Sequence, residues 1–355
     1  MEIALLKPNE EDEYERVLIS DEHTLLYASI KYRNLLRRIV GGKDFYLVAK
    51  DKGEIIGVLP TFLKYNSQYG NVINSLPFYG SNGGVICKAS LSENDTKTVK
   101  HKLLQALCDL AHQEKAVIST IITSPFETHI DVYEKFTHHY RDVRIGQITI
   151  LPQEKRDVDS ALMKIFHESR RRNIRKAMKS KIICRHSSNI EDLRFLANVH
   201  KQNIESIGGL AKSWDFFRTI PEIFEYDKDY RVYIAELNNK PISALLVFYY
   251  NRTVEYFCPA IIPEYRSLQP NSLLIFTAMR DAIMRGFKYW NWGGTWLTQK
   301  SLYDFKKRWG THDFMYYYYV TIYNDISEIK QLGPDGILRE YPHFYVLPFA
   351  QLQIT

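Results

Sequence analysis

The sequence predicts an α/β fold built from two copies of one unit, and two observations support this. The segments YLVAKDKGEIIGVLP and YIAELNNKPISALLV both read as strand, polar turn, strand. Each is followed by a helix and a further apolar strand, over residues 98–123 and 271–292. A recurring order of elements is typical of an internal repeat. We therefore expect two domains, each a mixed sheet flanked by helices.

Domain boundaries follow from this repeat and from a polar junction near residue 152. The chain of 355 residues is long enough for two domains of ordinary size. We predict an N-terminal domain over 1–152, a C-terminal domain over 153–325 and a C-terminal arm over 326–355. The aromatic run at 314–323 (FMYYYYVTIY) is predicted to be a late strand of the second domain.

The segment from residue 253 to 310 has the pattern expected of a ligand pocket. It reads as a strand at 253–260, a helix at 271–285 closed by Gly286, and a strand at 287–292. The second strand opens at Gly293 and Gly294 into a basic helix. Exposed N–H groups at a helix start after a strand are suited to hold phosphate or carboxylate.

A basic helix predicted over residues 161–181 is the most strongly charged part of the chain. Residues 164–185 contain nine basic side chains and one acid, Glu168, whereas the whole chain has a net charge of +6. A charge run of this kind is often only a solvated face. Because the charge here has one sign, we favour a surface that faces an anion.

Composition excludes several classes of protein. Hydrophobic residues make up 45% and charged residues 25% of the chain, which is typical of a globular protein. The start of the chain resembles no signal peptide, and no apolar run approaches the ~18 residues of a membrane helix. The four cysteines form no close pair in the sequence. We therefore expect them to be reduced core residues and not metal ligands, which is typical of a cytoplasmic protein.

The chain contains no G-x-S-x-G, H-E-x-x-H, Walker or G-x-G-x-x-G motif. Covalent and metal catalysis therefore have no support in the sequence. The helix start, the glycine-rich segments and the basic helix suit an enzyme that binds a phosphorylated donor and positions an amine for direct attack on a carbonyl.

Four segments resemble the Fem-type (FemAB-like) acyltransferases of the GNAT superfamily. They are SRRRNIRKA at 169–177, PEYRSLQPNSLL at 263–274, YWNWGG followed by SLYDFKKRWG between 289 and 310, and LPFYGSNGG at 76–84. The resemblance implies tandem GNAT-like domains that transfer an acyl or aminoacyl group to an amine. Two departures matter: Asn291 replaces the usual Asp, and the second domain has no long inserted helical hairpin.

The candidate site residues follow from the resemblance for Lys306, which matches the family's F-K motif, and from the places of the others in the predicted elements. Lys306 and Tyr256 are the catalytic candidates, Lys306 because an ammonium stabilises negative charge on the donor carbonyl and Tyr256 as a proton relay or a group that orients the acceptor amine. Candidate donor contacts are Asn271, Ser272, Leu273, Arg172, Arg175 and Lys176. Candidate acceptor contacts are Tyr32, Arg33, Tyr79, Gly80 and Phe305.

Three functions remain open at this stage. We favour N-acyl transfer from acyl-CoA, used as a co-substrate and not as a tightly bound cofactor, to an amino group of a sugar or other cell-envelope precursor. The first alternative uses aminoacyl-tRNA and a peptidoglycan precursor, although the missing hairpin disfavours a tRNA donor. The second is a non-catalytic protein that binds RNA or an anionic surface through residues 164–185.

Overall fold

The chain forms two compact units in the computed structural model, which describes residues 1–78 and 80–352. Unit 1 consists of Met1–Arg144 together with Met315–Thr355, and unit 2 is Ile145–Phe314. The sequence analysis instead assigned residues 315–325 to the second domain and 326–355 to a separate arm. The difference arises from long-range strand pairing, because Tyr318–Ile322 pair antiparallel with residues of unit 1 such as Ile122.

The described residues form the following strands and helices. The strands are β1 (Glu2–Leu5), β2 (Lys43–Asp51), β3 (Glu54–Lys64), β4 (Asn71–Ser75), β5 (Ile86–Cys87), β6 (Ala116–Ile122), β7 (Tyr140–Ile150), β8 (Ile183–Ser187), β9 (Tyr230–Leu237), β10 (Lys240–Tyr250), β11 (Thr253–Ile261), β12 (Tyr289–Trp296) and β13 (Thr311–Ile322). The helices are α1 (Glu11–Ser20), α2 (Ile30–Ile39), α3 (Glu93–Gln113), α4 (Ile130–Lys135), α5 (Val158–Ile165), α6 (Glu168–Lys179), α7 (Ile190–Glu205), α8 (Trp214–Ile223), α9 (Pro270–Met284), α10 (Lys300–Lys307), α11 (Ser327–Gln331) and α12 (Gly333–Glu340). Short 3₁₀ helices cover Pro8–Glu10, Leu26–Ala28, Pro263–Leu268 and Phe349–Gln351.

Both units contain a mixed sheet of the same plan. In unit 1 the strand order is β1-β2-β3-β4-β6-β13, with β5 paired to β3. Of the pairs in this order, only β4–β6 is parallel, and helix α3 connects its two strands. In unit 2 the order is β7-β12-β11-β10-β9-β8, and the parallel pair β11–β12 is connected by α9. The run β2-β3-β4-β6 therefore corresponds to β9-β10-β11-β12, and the predicted α/β repeat is confirmed.

Each unit has its own apolar core between its sheet and its crossover helix. In unit 1 the buried face of α3, which includes Val99, Leu103 and Leu107, packs on the sheet. In unit 2 the start of α9 is buried on nearly all sides, and Leu274 and Met279 have no exposed surface. Burial of a side chain of this size contributes about 2 kcal/mol. These cores fix the crossover helices, so the loops at the strand ends have a rigid support.

The prediction of one basic helix over residues 161–181 is wrong, because the chain breaks between α5 and α6. Phe166 is buried and its ring meets that of Trp309 edge to face, with centroids 5.0 Å apart. His167 then begins a new helix: its side chain accepts a hydrogen bond from Ser169 N, and its own N–H donates to Arg308 O. The sequence does not reveal this break because the partners are about 140 residues away along the chain.

No helix among the described residues is both long enough and apolar enough to cross a membrane.

Gly310 is expected to be essential for the contact between the segment that follows α10 and the end of α5. Its φ is +74°, and a Cβ there would lie 2.7 Å from Ile165 O. We predict that Gly310→Ala lowers the free energy of unfolding by about 2 kcal/mol or more, from backbone strain and the clash together. Gly286→Ala is the control, since Gly286 has a φ of +87° but open space around it. Urea unfolding measures both, and equal losses in the two variants would show that the Ile165 contact is unimportant.

Candidate functional site

The two parallel strands of unit 2 separate partway along their length. Their registered pairs are Thr253 with Tyr289, Val254 with Trp290 and Glu255 with Asn291. Both strands continue beyond this point, β11 over residues 256–261 and β12 over residues 292–296, without further registered pairing between them in the described part of the chain. An opening at the carboxyl ends of adjacent parallel strands is where α/β folds bind ligands. We call this opening the fork.

A buried side-chain pair holds the base of the fork. Asn291 and Glu255 are 1% and 2% exposed. Asn291 Nδ2 donates to Glu255 Oε2 at 2.9 Å, and Asn291 Oδ1 accepts a hydrogen bond from Gly293 N at 2.9 Å. Gly293 has a φ of +71°, which favours glycine. Asn291 therefore shapes the turn of β12 away from β11. A carboxylate could accept the bond from Gly293 N but could not donate to Glu255, so this pair requires an amide.

Lys306 lies in α10, and its ammonium group contacts the part of β12 that continues beyond the fork. Its side-chain nitrogen donates to Gly293 O at 3.2 Å, Gly294 O at 2.9 Å and Thr295 Oγ1 at 2.9 Å. The residue is 5% exposed and has no carboxylate partner among the described residues. Burial lowers the pKa of Lys306 to about 7 because a low-dielectric surrounding disfavours the charged form. The structure thus places Lys306, a catalytic candidate of the sequence analysis, beside the fork with its side-chain nitrogen bonded to three acceptors.

Thr295 and Gln147, two residues that the sequence analysis did not select, form a buried network beside Lys306. Thr295 Oγ1 donates to Gln147 Oε1 at 2.9 Å, and Gln147 Nε2 donates to Tyr303 O at 3.1 Å. Thr295 and Gln147 are both fully buried. The network links β7, β12 and α10 and so fixes the acceptors around Lys306. Nothing in the local sequence pattern marks Gln147, because its partners come from distant segments.

Tyr256 and Phe305 form part of an aromatic wall beside Lys306. The Tyr256 ring lies 4.8 Å from that of Trp292, and Phe305 meets Trp292 edge to face at 6.2 Å. The Tyr256 hydroxyl has no hydrogen-bond partner among the described residues. Burial raises the pKa of Tyr256, so its phenol stays protonated at neutral pH and is able to donate a proton or a hydrogen bond.

Arg170, in α6, is a half-buried cation against this wall. Its guanidinium carbon lies 5.5 Å from the ring centre of Phe305 and 5.8 Å from that of Trp309. Its Nε has no hydrogen-bond partner in the described part of the chain. Burial, with a smaller effect of Arg308, lowers its pKa. The sequence analysis counted Arg170 only as one charge of the basic helix.

The start of α9 presents fewer free N–H groups than expected. Ser272 N donates to Gln269 O at 3.0 Å, and Leu273 is buried among the core of unit 2. Asn271 is half-buried, and its side-chain oxygen accepts a hydrogen bond from the Ser243 hydroxyl. The Asn271 N–H has no partner among the described residues, which is the usual state of the first helical N–H groups. Of the three residues predicted here, Asn271 has the backbone donor best placed for a ligand.

The exposed face of α6 forms an open groove of about 630 Å³. It is lined by Glu168, Arg172, Arg175, Lys176, Lys179 and Ser180. The four cations are exposed, and none forms an ion pair with a described residue. The predicted donor contacts Arg172, Arg175 and Lys176 are therefore together on one cationic surface.

The predicted acceptor contacts in unit 1 have mostly internal roles. Tyr32 is fully buried, and its hydroxyl is 2.7 Å from Ser81 Oγ. Arg33 is 4% exposed and forms an ion pair with Glu11. Gly80 is exposed with a φ of +84°, and Tyr79 lies outside the described residues. Tyr32 thus anchors the loop that contains Gly80, whereas Arg33 stabilises the helix layer of unit 1.

A family model described as an acetyltransferase (GNAT) domain matches residues 166–307. The match includes α6, the fork and Lys306. No curated protein sequence matches the chain at a significant level.

Solved structures share the fold of both units. A crystal structure of FemX has a TM-score of 0.73 and 17% identity, and the match covers 91% of this chain and 98% of that one. A tandem GNAT protein from the clavulanic acid biosynthesis pathway has a TM-score of 0.54 and 8% identity, over 91% and 99% of the two chains. The C-terminal domain of a putative lysylphosphatidylglycerol synthetase from Agrobacterium fabrum has a TM-score of 0.54 and 10% identity, over 93% and 96%.

The chain therefore has a tandem GNAT fold, and a GNAT acetyltransferase family model matches the part of it that contains the fork and Lys306. The more particular resemblance, to the Fem-type branch of the GNAT superfamily, is confirmed in fold by FemX.

The burial of Lys306 predicts a specific pH dependence of stability. Its pKa is about 7 in the folded chain and about 10.4 in an unfolded one. Between these values the unfolded chain binds a proton that the folded chain has released, so stability rises with pH. The unfolding free energy of the wild type minus that of Lys306→Met should therefore rise by about 2 kcal/mol from pH 7 to pH 9, because only the wild type gains stability from this group. Denaturant titrations at both pH values measure it, and a constant difference would show that Lys306 is not desolvated.

Proposed function

We propose that the chain transfers an acyl group from acyl-CoA to an amino group of a sugar or another small cell-envelope precursor. The observation that supports this most strongly is the position of Lys306. Its buried ammonium group donates hydrogen bonds to backbone carbonyls of β12 just beyond the fork. The unpaired strand edges of the fork suit the amide groups of an extended thioester chain, because such edges have free N–H and C=O groups.

In the proposed reaction a neutral amine attacks the thioester carbonyl carbon. A C–N bond forms, negative charge develops on the carbonyl oxygen, and the C–S bond then breaks to release CoA. Lys306 donates a hydrogen bond to the developing oxyanion, at the cost of one of its present bonds to a backbone carbonyl. Tyr256 supplies a proton to the departing thiolate and regains one from the amine nitrogen, which loses a proton as the amide forms.

The other candidate residues have positioning roles in this proposal. The Asn271 N–H at the start of α9 binds the donor pyrophosphate, and Ser272 and Leu273 keep that turn in place through the core. Arg172, Arg175 and Lys176 contribute positive charge for the donor phosphates. Phe305 contacts the acceptor in unit 2, and Gly80 stays a proposed acceptor contact of unit 1. Tyr32 supports the loop that contains Gly80 through Ser81, and Arg33 supports the adjoining helix.

A second candidate donor, aminoacyl-tRNA, is favoured by one observation. The cations of the α6 groove are exposed and lack ion-pair partners among the described residues. A row of this kind fits the repeated phosphates of a nucleic acid better than the few phosphates of CoA. The chemistry at Lys306 would be the same, since an aminoacyl ester and a thioester both present an activated carbonyl to the amine.

Donor binding is tested by thermal unfolding with CoA, acetyl-CoA and bulk tRNA in parallel. Because a ligand that binds only the folded state raises the melting temperature, we expect acetyl-CoA and CoA to stabilise the protein. Turnover is measured as thiol release from acetyl-CoA with a panel of amino sugars. Lys306→Met should reduce kcat by about 100-fold or more with little change in KM. Lys307→Met, at the exposed neighbouring lysine, is the matched control and should keep nearly the full rate.

A full rate in Lys306→Met would remove this residue from the mechanism. Stabilisation by tRNA alone would favour the second donor, and binding of tRNA without any transfer would favour a non-catalytic RNA-binding protein.

The α6 groove makes a separate prediction about salt. If tRNA is the donor, Arg172→Ala with Arg175→Ala should weaken tRNA binding and reduce the slope of log K against log salt by about 2, since each cation contacts about one phosphate. Lys201→Ala, at an exposed lysine of α7, is the control and should leave the slope unchanged. Fluorescence anisotropy with labelled tRNA gives both slopes, and equal slopes in all three proteins would show that α6 does not contact the RNA.

A further inference from the structure

Unit 1 contains a partly enclosed cavity that the proposed reaction does not use. Its volume is about 170 Å³, and its lining residues come from four segments. These are the turn after α1, the loop after β4, the first turns of α3 and the loop after β6. The parallel pair β4–β6 ends its register at Ser75 with Ile121. The cavity therefore lies at the same place in unit 1 that the fork has in unit 2, where α/β folds bind ligands.

The cavity is built around a buried ion pair. Lys100 Nζ lies 2.7 Å from Glu127 Oε2 and donates to Val85 O at 3.1 Å. The side chains of Lys100 and Glu127 are 5% and 7% exposed. Each charge neutralises the other at this distance, so the pair has little net attraction for a free ion. The pair is still able to form hydrogen bonds with a ligand, because an ammonium has a third N–H and a carboxylate has further lone pairs.

Two more lining residues have unused hydrogen-bonding groups. Thr24 is 5% exposed, and its hydroxyl has no hydrogen-bond partner among the described residues. Asn82 is 8% exposed, and its Nδ2 donates to Thr123 O at 2.8 Å. No donor in the described part of the chain reaches Asn82 Oδ1. An unpaired polar group in a protein interior is unfavourable, and a ligand that supplies the missing partners relieves that cost.

We propose that this cavity is a binding site for an uncharged, hydroxyl-rich molecule of about the size of one sugar ring. A hydroxyl group both donates and accepts, so neighbouring hydroxyls pair with Glu127, Lys100 and Asn82 without disturbing the ion pair. Phe126 also lines the cavity and offers an apolar surface to ring C–H groups. The volume is below the roughly 300–1,000 Å³ of sites for larger ligands, which excludes a nucleotide.

The chemistry of the lining disfavours charged ligands. The lining contains two carboxylates, Asp21 and Glu127, and two lysines, Lys88 and Lys100, so its charges balance. An anion meets the carboxylates and a cation meets the lysines, whereas a neutral polyol meets no opposing charge. The Cys87 thiol at the cavity is not a reactive nucleophile, because burial raises its pKa to about 11.

Binding is tested without any acyl donor, so the result does not depend on the proposed transfer reaction. Saturation-transfer NMR and thermal unfolding are run with methyl glucoside, N-acetylglucosamine, L-alanine and inorganic phosphate. We expect the two uncharged sugars to bind and the two charged probes to give no effect. Thr24→Val removes only the hydroxyl, and Cys87→Met extends a side chain into the cavity. Each should weaken sugar binding about tenfold or more, whereas Thr98→Val, on the exposed face of α3, should not.

The stability of Thr24→Val gives a second readout that does not require the right sugar. Since the Thr24 hydroxyl is buried without a partner, its replacement by a methyl group should raise the melting temperature of the free protein. Thr61→Val is the contrast, because Thr61 is buried and its hydroxyl donates to Phe45 O, so that variant should lose stability.

Three outcomes would overturn the proposal. The first is that no uncharged sugar binds the wild-type protein. The second is that phosphate or L-alanine binds and is lost in Thr24→Val and Cys87→Met. The third is that sugar binding is lost in Lys306→Met but kept in Thr24→Val, which would place the sugar in unit 2 and leave the proposed transfer reaction intact.

Discussion

The separation of β11 from β12 is the constraint on which the candidate site depends. Parallel strands stay paired when their backbone groups bond to each other, and here the registered pairing ends at Glu255 and Asn291. The buried bond between these two side chains and the bond from Gly293 N to Asn291 Oδ1 replace the lost register at that point. The apolar packing of α9 keeps both strands fixed below the fork. The opening is therefore a rigid feature of unit 2, and a ligand does not have to create it.

The position of Lys306 follows from the same opening. Beyond the fork, the Lys306 side chain donates hydrogen bonds to two backbone carbonyl groups of β12. Burial makes the charged form unfavourable and lowers the pKa of Lys306 to about 7. An isolated surface lysine would remain fully charged and flexible. The fold thus converts an ordinary residue type into a group with a defined position and a proton that is exchangeable near neutral pH.

The two units have the same strand plan, but the side chains at the carboxyl ends of their parallel strand pairs differ. In unit 2 the ends of the parallel pair are lined by aromatic rings and a buried lysine without a carboxylate. In unit 1 the same place contains the Lys100–Glu127 ion pair and a smaller polar cavity. A repeated backbone therefore supports two chemically distinct environments, because side chains from the loops and not the strand order determine what each position binds.

The sequence by itself determined the α/β repeat and the crossover helices, and it singled out Lys306 as a candidate. Hydrophobic periodicity and turn residues are local properties, and the motif around Phe305 and Lys306 is contiguous. Tertiary structure alone decided the break between α5 and α6, the pairing of β13 with β6, and the network from Gln147 through Thr295 to Lys306. These features join residues far apart in the chain, and no local pattern encodes such contacts. The same reason explains why Tyr32 and Arg33, which the sequence analysis selected as acceptor contacts, are buried: their partners Ser81 and Glu11 come from other elements.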